Sequence, residues 1–222
     1  YICMKYIKKI IDFNKTVYFN FRYLPIKYAV KMPIKIRGNV RTKLKKGDII
    51  FQDDSNVYAG MLKLGYNGTP FISQNNESCI IIQGGGRLII GSNVVIGEGF
   101  NIYIDSGTLT FMDDVYCNKN LLIQCVNQIT VEEQALIGWG VAIRDTDGHI
   151  LSGNIEKKNS KIVIGRKSWI AADCTVLKGT RVSQGSVIGT KSLVLGLQMA
   201  ETNCMAVGIP AKIKKRNITL ND

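Results

Sequence analysis

Histidine is nearly missing from this sequence: of 222 residues, His149 alone carries an imidazole. A three-histidine zinc site therefore cannot be built from this chain. The six cysteines, Cys3, Cys79, Cys117, Cys125, Cys174 and Cys204, include no C-x-x-C pair. That spacing excludes the usual zinc and disulfide frameworks, and buried reduced thiols account for it better. No apolar run approaches the ~18 residues of a membrane-spanning helix, and no signal-peptide pattern precedes a cleavage site; the expected location is the cytoplasm. Proline is scarce too, with four in all. Two of these, Pro25 and Pro33, exclude a long helix running from Asn20 to Val40.

Acidic residues are scarce in one region only. Residues 1–50 hold thirteen Lys or Arg against two acids, a balance of 13 − 2 = +11, while residues 51–222 hold sixteen against fifteen. The formal charge of +12 is thus nearly all placed in the first fifty residues. Such a block is read as a solvated face, as a surface attracted to an anionic membrane, or as a nucleic-acid contact. The last ranks lowest, because no nucleic-acid-binding motif accompanies the charge.

What the sequence does have is a comb of period six. Aliphatic residues return at Ile164, Ile170, Val176, Val182, Ile188 and Val194, and small residues follow four places later at Ser168, Cys174, Thr180, Ser186 and Ser192. Three earlier sets repeat it: Ile90, Ile96, Ile102; Phe111, Cys117, Ile123; and Val131, Ile137, Ile143. Six matches neither a helix nor an alternating strand, and a fixed period marks a repeat architecture. Three hexads make one turn of a triangular coil, whose strands each turn one aliphatic side chain to the axis. Stacked coils satisfy one another's backbone groups and bury a continuous column. A β-sandwich would instead show turn signals every 8–12 residues. Glycines directly after the inward residue, at 91, 97, 138, 165 and 189, suit unusual backbone angles or close approach. The sets are separated by extra residues at one corner, most of all between Ile143 and Ile164.

The fold expected is therefore all-β, a parallel β-helix. Residues 1–83 are assigned to an N-terminal cap, 84–198 to the β-helix with an inserted loop at 144–161, and 199–222 to a basic C-terminal tail. Within the cap, Ile2, Tyr6, Ile10 and Phe13 predict a short helix. Ile34–Ile36 and Ile49–Phe51 predict strands or degenerate first coils, and the glycines between 60 and 86, with Pro70, predict turns.

The hexads Ile164-Gly165-Arg166-Lys167-Ser168-Trp169 and Ile170-Ala171-Ala172-Asp173-Cys174-Thr175 resemble the hexapeptide-repeat acyltransferases, above all their sugar O-acetyltransferases. The resemblance covers about residues 84–216. It implies a left-handed β-helix, an exception to the usual crossover rule, a homotrimer with sites between subunits, acetyl-CoA as donor, no metal, and a sugar of a surface polysaccharide as acceptor.

Acyl transfer to a hydroxyl needs a base for the proton and donors for the oxyanion. Imidazole, with an ordinary pKa of ~6.5, suits the first role at neutral pH. His149 lies in the loop that departs furthest from the repeat, in the string Asp145-Thr146-Asp147-Gly148-His149. The resemblance makes it the general base. Asp145 and Asp147 are assigned either to orient the imidazole or bind the sugar, or to form the turn. By the same resemblance Asn118 holds acceptor and acyl group, brought beside the loop by stacking, or else is a corner asparagine in a left-handed conformation. Trp139 should face outward, toward a sugar or a second subunit. For the CoA arm the resemblance points to Ala171, Ala172, Gly189, Thr190 and Lys191, and for its phosphates to Lys191, Lys212 and Lys215. Leu195-Gly196 departs from the family's Thr-Lys, which removes one phosphate contact. The expected reaction is direct transfer without an acyl-enzyme, since no cysteine lies in the loop. N-acetylation of an amino-sugar nucleotide, and a non-catalytic β-helix scaffold, are the competing readings.

Overall fold

Backbone hydrogen bonds run from coil to coil along the whole chain. The computed structural model describes residues 2–66, 68–69, 77–149 and 159–220. The turn expected at Pro70, the Lys157-Lys158 stretch of the long insertion and the Cys3 thiol lie outside what is described. The strands form three parallel faces. Among the described residues the first has nine strands, the second seven and the third six. Each coil visits the faces in the same order, so corners of one kind stack into continuous edges.

The period-six comb supplies the axis. On the first face Ile36, Leu64, Ile96, Cys117, Ile137, Ile170, Ile188 and Ala206 lie in one column of aligned pairs. Residues Ile80, Ile102, Ile123, Ile143, Val176 and Val194 do the same on the second face, and Phe51, Ile90, Phe111, Val131, Ile164 and Val182 on the third. All are buried. The columns show that residues 34–83, placed with the cap in the sequence reading, are coils of the same prism. Their period is hidden by the extra residues between Phe51 and Leu62 and between Leu64 and Ser78, strand ends that flank the two corners the later insertions do not use.

The corners have their own rule, which the comb did not reveal. The third residue after the inward one takes the left-handed conformation, at Asn93, Asp114, Asn120, Gln134, Lys167, Asp173 and Lys191. The glycine directly after the inward residue serves close approach instead: a Cβ on Gly138 would lie 2.7 Å from Ala172 N and 2.8 Å from Ala171 C. The five cysteines with described side chains are all buried and free. Burial pushes the Cys117 and Cys125 thiols well above their ordinary range.

The open side of the first strand is closed by a helix. Helix α1 (Ile2–Tyr23) is 22 residues long, longer than the segment expected at 2–13, and stops short of Pro25. Its Thr16, Phe19, Asn20 and Tyr23 are buried. It lies along β1 (Ile34–Ile36) and presents side chains where a neighbouring strand would present backbone. Asn20 accepts from Ile34 N at 3.2 Å and donates to Ile34 O at 2.7 Å. Thr16 Oγ1 accepts from Ile36 N at 2.9 Å, and Asp12 Oδ1 accepts from Gly38 N at 3.1 Å. The match is metric. Four helical residues rise about 6 Å, close to the roughly 6.6 Å of two strand residues, so positions 12, 16 and 20 meet 38, 36 and 34.

At the far side, the chain folds back on itself between residues 205 and 215. Strands β21 (Met205–Gly208) and β22 (Ala211–Lys215) pair antiparallel and finish the nine-stranded face.

Asn20→Ala leaves both backbone groups of Ile34 unpaired in a buried place, each costing about 1–3 kcal/mol. A loss of about 2–4 kcal/mol in denaturant unfolding is expected. In the native state the five buried thiols should stay inert to a thiol reagent and react once the chain is unfolded.

Candidate active site

Two edges of the prism carry the candidate residues. The edge between the first and second faces is a double backbone ladder. One rail runs Asn118 N to Ile137 O, Gly138 N to Ile170 O, Ala171 N to Ile188 O and Gly189 N to Ala206 O, all at 2.8–2.9 Å. The other runs Gly140 N to Lys119 O, Asp173 N to Trp139 O and Lys191 N to Ala172 O. Asn118, Trp139, Ala171, Ala172, Gly189, Thr190 and Lys191 thus stand above one another in four successive coils. Ala171, Ala172 and Gly189 are buried, Trp139 is half-buried, and Thr190 and Lys191 are exposed. Smallness at Ala171 and Ala172 has a packing cause as well, since Gly138 sits directly against their backbone.

Lys212, opposite Val207 in the terminal hairpin, lies toward this same edge; Lys215, opposite Met205, lies at the far end of that strand pair. The structure thus groups Lys191 with Lys212 and separates Lys215 from both.

Asn118 is half-buried and not left-handed; that conformation belongs to Asn120. Its Oδ1 accepts from Thr69 N at 3.0 Å and Lys119 N at 2.8 Å, and its Nδ2 donates to Thr69 Oγ1 at 2.9 Å. Beside it, Lys119 is buried and paired with Glu98 one coil below, Nζ to Oε1 at 2.7 Å. The sequence reading missed this pair; a charge at each of two stacked corner positions was its only signal.

The second edge, between the second and third faces, holds the His149 loop. It follows β14 (Ala142–Arg144). Asp145 is fully buried, and its two carboxylate oxygens accept from Val126 N at 2.9 Å and Asn127 N at 2.8 Å in the coil below. That corrects the sugar-binding assignment for Asp145: its oxygens are already used to fasten the loop. Thr146 and Asn159 pair across the neck, with Thr146 Oγ1 2.7 Å from Asn159 Oδ1. Asp147 forms an ion pair with Lys178 of the next coil at 2.5 Å. Gly148 takes φ 76°, and His149 after it is exposed. The first residues of the loop are thus fastened to the coils on both sides, directly before the exposed His149.

Below the neck is a cleft of ≈ 390 Å³ lined by Tyr103, Asp105, Ser106, Gln124 and Thr146. Tyr103 donates to Asp105 Oδ2 at 2.9 Å and Gln83 Nε2 to the same oxygen at 3.0 Å. Hydrogen bonds from Gln83, then Tyr103, hold the Asp105 carboxyl below the usual range. These residues were not singled out from the sequence. Their signal was alternation: they are the outward neighbours of the inward Ile102, Ile104 and Ile123.

Stacking does not bring Asn118 to His149. They occupy different edges, and the strand between them spans roughly 15 Å. Among the described residues no group of three or more acidic, cysteine or histidine side chains is arranged to hold a metal.

No protein-family model matches the chain. The putative lipopolysaccharide biosynthesis O-acetyl transferase WbbJ of Escherichia coli K12 is 30% identical over 148 residues, covering 61% of this chain and 74% of that protein. The chain belongs to the hexapeptide-repeat acyltransferases. Its prism is a parallel β-helix, and the protein is an acetyltransferase. A 24.8 kDa protein of unassigned role in the cps region of Klebsiella pneumoniae is similar over 90% of this chain and 86% of its own length, at 28% identity. The crystal structure of the polySia-specific acetyltransferase NeuO aligns with a TM-score of 0.48 at 20% identity, over 86% of this chain and 89% of that one.

For this acyltransferase, Asp145→Ala strips the part-buried Val126 and Asn127 amides of their acceptor. A loss of about 2–4 kcal/mol in unfolding free energy is expected, together with faster proteolytic cleavage within 144–161. Asp145→Asn, which keeps one acceptor, should fall between.

Proposed function

We propose that the protein moves an acetyl group from acetyl-CoA to a hydroxyl of a sugar in a surface polysaccharide or its precursor. The single observation that supports this best is the placement of His149: the chain's only imidazole is exposed on a loop pinned at its root by Asp145, Thr146 and Asp147, above a polar cleft. His149 takes the hydroxyl proton as the oxygen attacks the thioester carbonyl, and CoA leaves as its thiol. No acyl-enzyme forms, since the described cysteines are all buried, including Cys125 beneath Asp145 at the root of the loop. The relatives support the acceptor class, because WbbJ is named for lipopolysaccharide biosynthesis.

The cleft below the loop takes the acceptor. Asp105, Gln124 and Tyr103 offer a carboxylate, an amide and a phenol, the mixture that sugar hydroxyls engage. The donor lies along the other edge, where Thr190, Lys191 and Lys212 are exposed beside the buried Ala171 and Ala172. Because the two edges of one protomer are roughly 15 Å apart, donor and acceptor meet where one copy's Asn118 edge faces the next copy's His149 edge. A homotrimer closes three such sites.

His149→Ala should lower CoA release in the presence of sugar acceptors by about 10²–10⁴-fold, with the unfolding midpoint unchanged. Mild base should free acetate from the product, as an ester requires. Unchanged turnover would remove His149 from the mechanism, and a base-stable product would move the reaction to an amine. Asp105→Asn should raise KM for the acceptor about tenfold and leave KM for acetyl-CoA unaltered, as loss of one charged hydrogen bond predicts.

A further inference from the structure

Helix α1 buries one side against the first coil and leaves the other apolar. On a helix of 3.6 residues per turn, Tyr6, Ile10, Phe13 and Phe21 fall in one stripe, and Ile7, Ile11 and Tyr18 in the stripe beside it. Each is at least 43% exposed. The stripes cover nearly half the circumference and point away from Thr16, Phe19, Asn20 and Tyr23. Lys8, Lys15 and Arg22 recur at steps of seven and line the border of the arc. The short helix α2 (Ile26–Ala29) and the residue after it extend the surface with exposed Ile26 and Val30, next to Lys27 and Lys31. A solvated helix would show charge here, so this face requires a cover.

We propose that α1 lies in the plane of an anionic lipid surface, its apolar arc among the acyl chains and its cations at the headgroups. Charge complementarity selects that occupant. Residues 1–50 carry thirteen cations and two acids, and both acids are engaged by backbone amides: Asp12 accepts from Gly38 N, and Asp48 from Lys45 N. An apolar arc bordered by Lys and Arg is the pattern of helices that rest in the interface. Spanning is not an option, because among the described residues no helix is long and apolar enough to cross a membrane. Beside the helix, a cleft of ≈ 330 Å³ is lined by Lys15 and Arg41, with Tyr18, Tyr23 and Glu77. Lys15 Nζ there donates to Gly38 O and Asn39 Oδ1, so the cleft adds a held cation to the border of the arc.

The test uses the whole protein with sedimenting vesicles of phosphatidylcholine alone, or with about a third phosphatidylglycerol. Wild type should pellet with the anionic vesicles and at least tenfold less with the neutral ones, and added salt should weaken the binding. The variant Ile10→Glu/Phe13→Glu changes exposed positions only. It should lose at least tenfold in vesicle binding, with circular dichroism and CoA release in solution unchanged. Wild type that stays in the supernatant under all conditions would overturn the proposal. So would a double variant that pellets like wild type, or one that changes oligomeric state, which would make the arc a contact between copies. Acetyl transfer is not the readout, so failure here leaves the assignment of His149 untouched.

Discussion

Every feature of this molecule depends on coils spaced by backbone hydrogen bonds. A strand in a parallel stack sits about 4.8 Å from its neighbours, and each coil can reach that distance only if its axis-facing residue fills the core and its corners stay thin. The inward columns meet the first condition, with Ile, Val, Leu and Phe at almost every level and Cys117 at one. Glycine at 138 and alanine at 171 and 172 meet the second. Neither is satisfied locally: a single coil buries nothing, so the stability of each belongs to the coils above and below it.

That dependence makes the edges rigid enough to carry chemistry. A corner residue cannot shift without pulling on the ladder, which is why Asn118, Trp139 and Lys191 occupy fixed levels although they come from distant parts of the chain. The His149 loop shows the complementary strategy. It departs from the repeat, yet its first residues are nailed to the coil below through Asp145 and to the coil above through Asp147 and Lys178. The division of labour between the edges follows from the same geometry, since a prism cannot fold two of its own edges together.

The prism from Ile90 to Val194 was legible because aliphatic side chains at fixed intervals are a direct record of which residues face the axis. The coils before it were not, because excursions of unequal length broke the count, although Ile34 and Ile49 each begin a strand and Ile80 lies within one. Helix α1 was foreseen from Ile2 to Phe13 and missed beyond, where its inward side turns polar at Thr16 and Asn20 to serve β1; a periodicity of apolar residues cannot register such positions. The edge proposed for the donor was named from resemblance, through the motifs that flank Ala171, Ala172 and Gly189. The role of Asp145 could not, because a carboxylate that binds a sugar and one that binds two amides look alike in sequence. Asn118 was placed beside His149 by counting coils, which gives height along the prism but not which of its three edges a residue occupies.

The meeting of α1 with β1 has one more implication. By setting Asp12, Thr16 and Asn20 against Gly38, Ile36 and Ile34, the helix imitates a strand on one side and offers no backbone of its own on the other. An uncovered parallel edge is a template onto which further chains can add without limit. The protein thus ends its own crystal-like growth with a stopper whose pitch fits the sheet but whose outer surface cannot propagate it, and the opposite end is stopped by reversing strand direction in β22. Its length is set by two unlike terminators, and a molecule deprived of the first would be a seed for fibres.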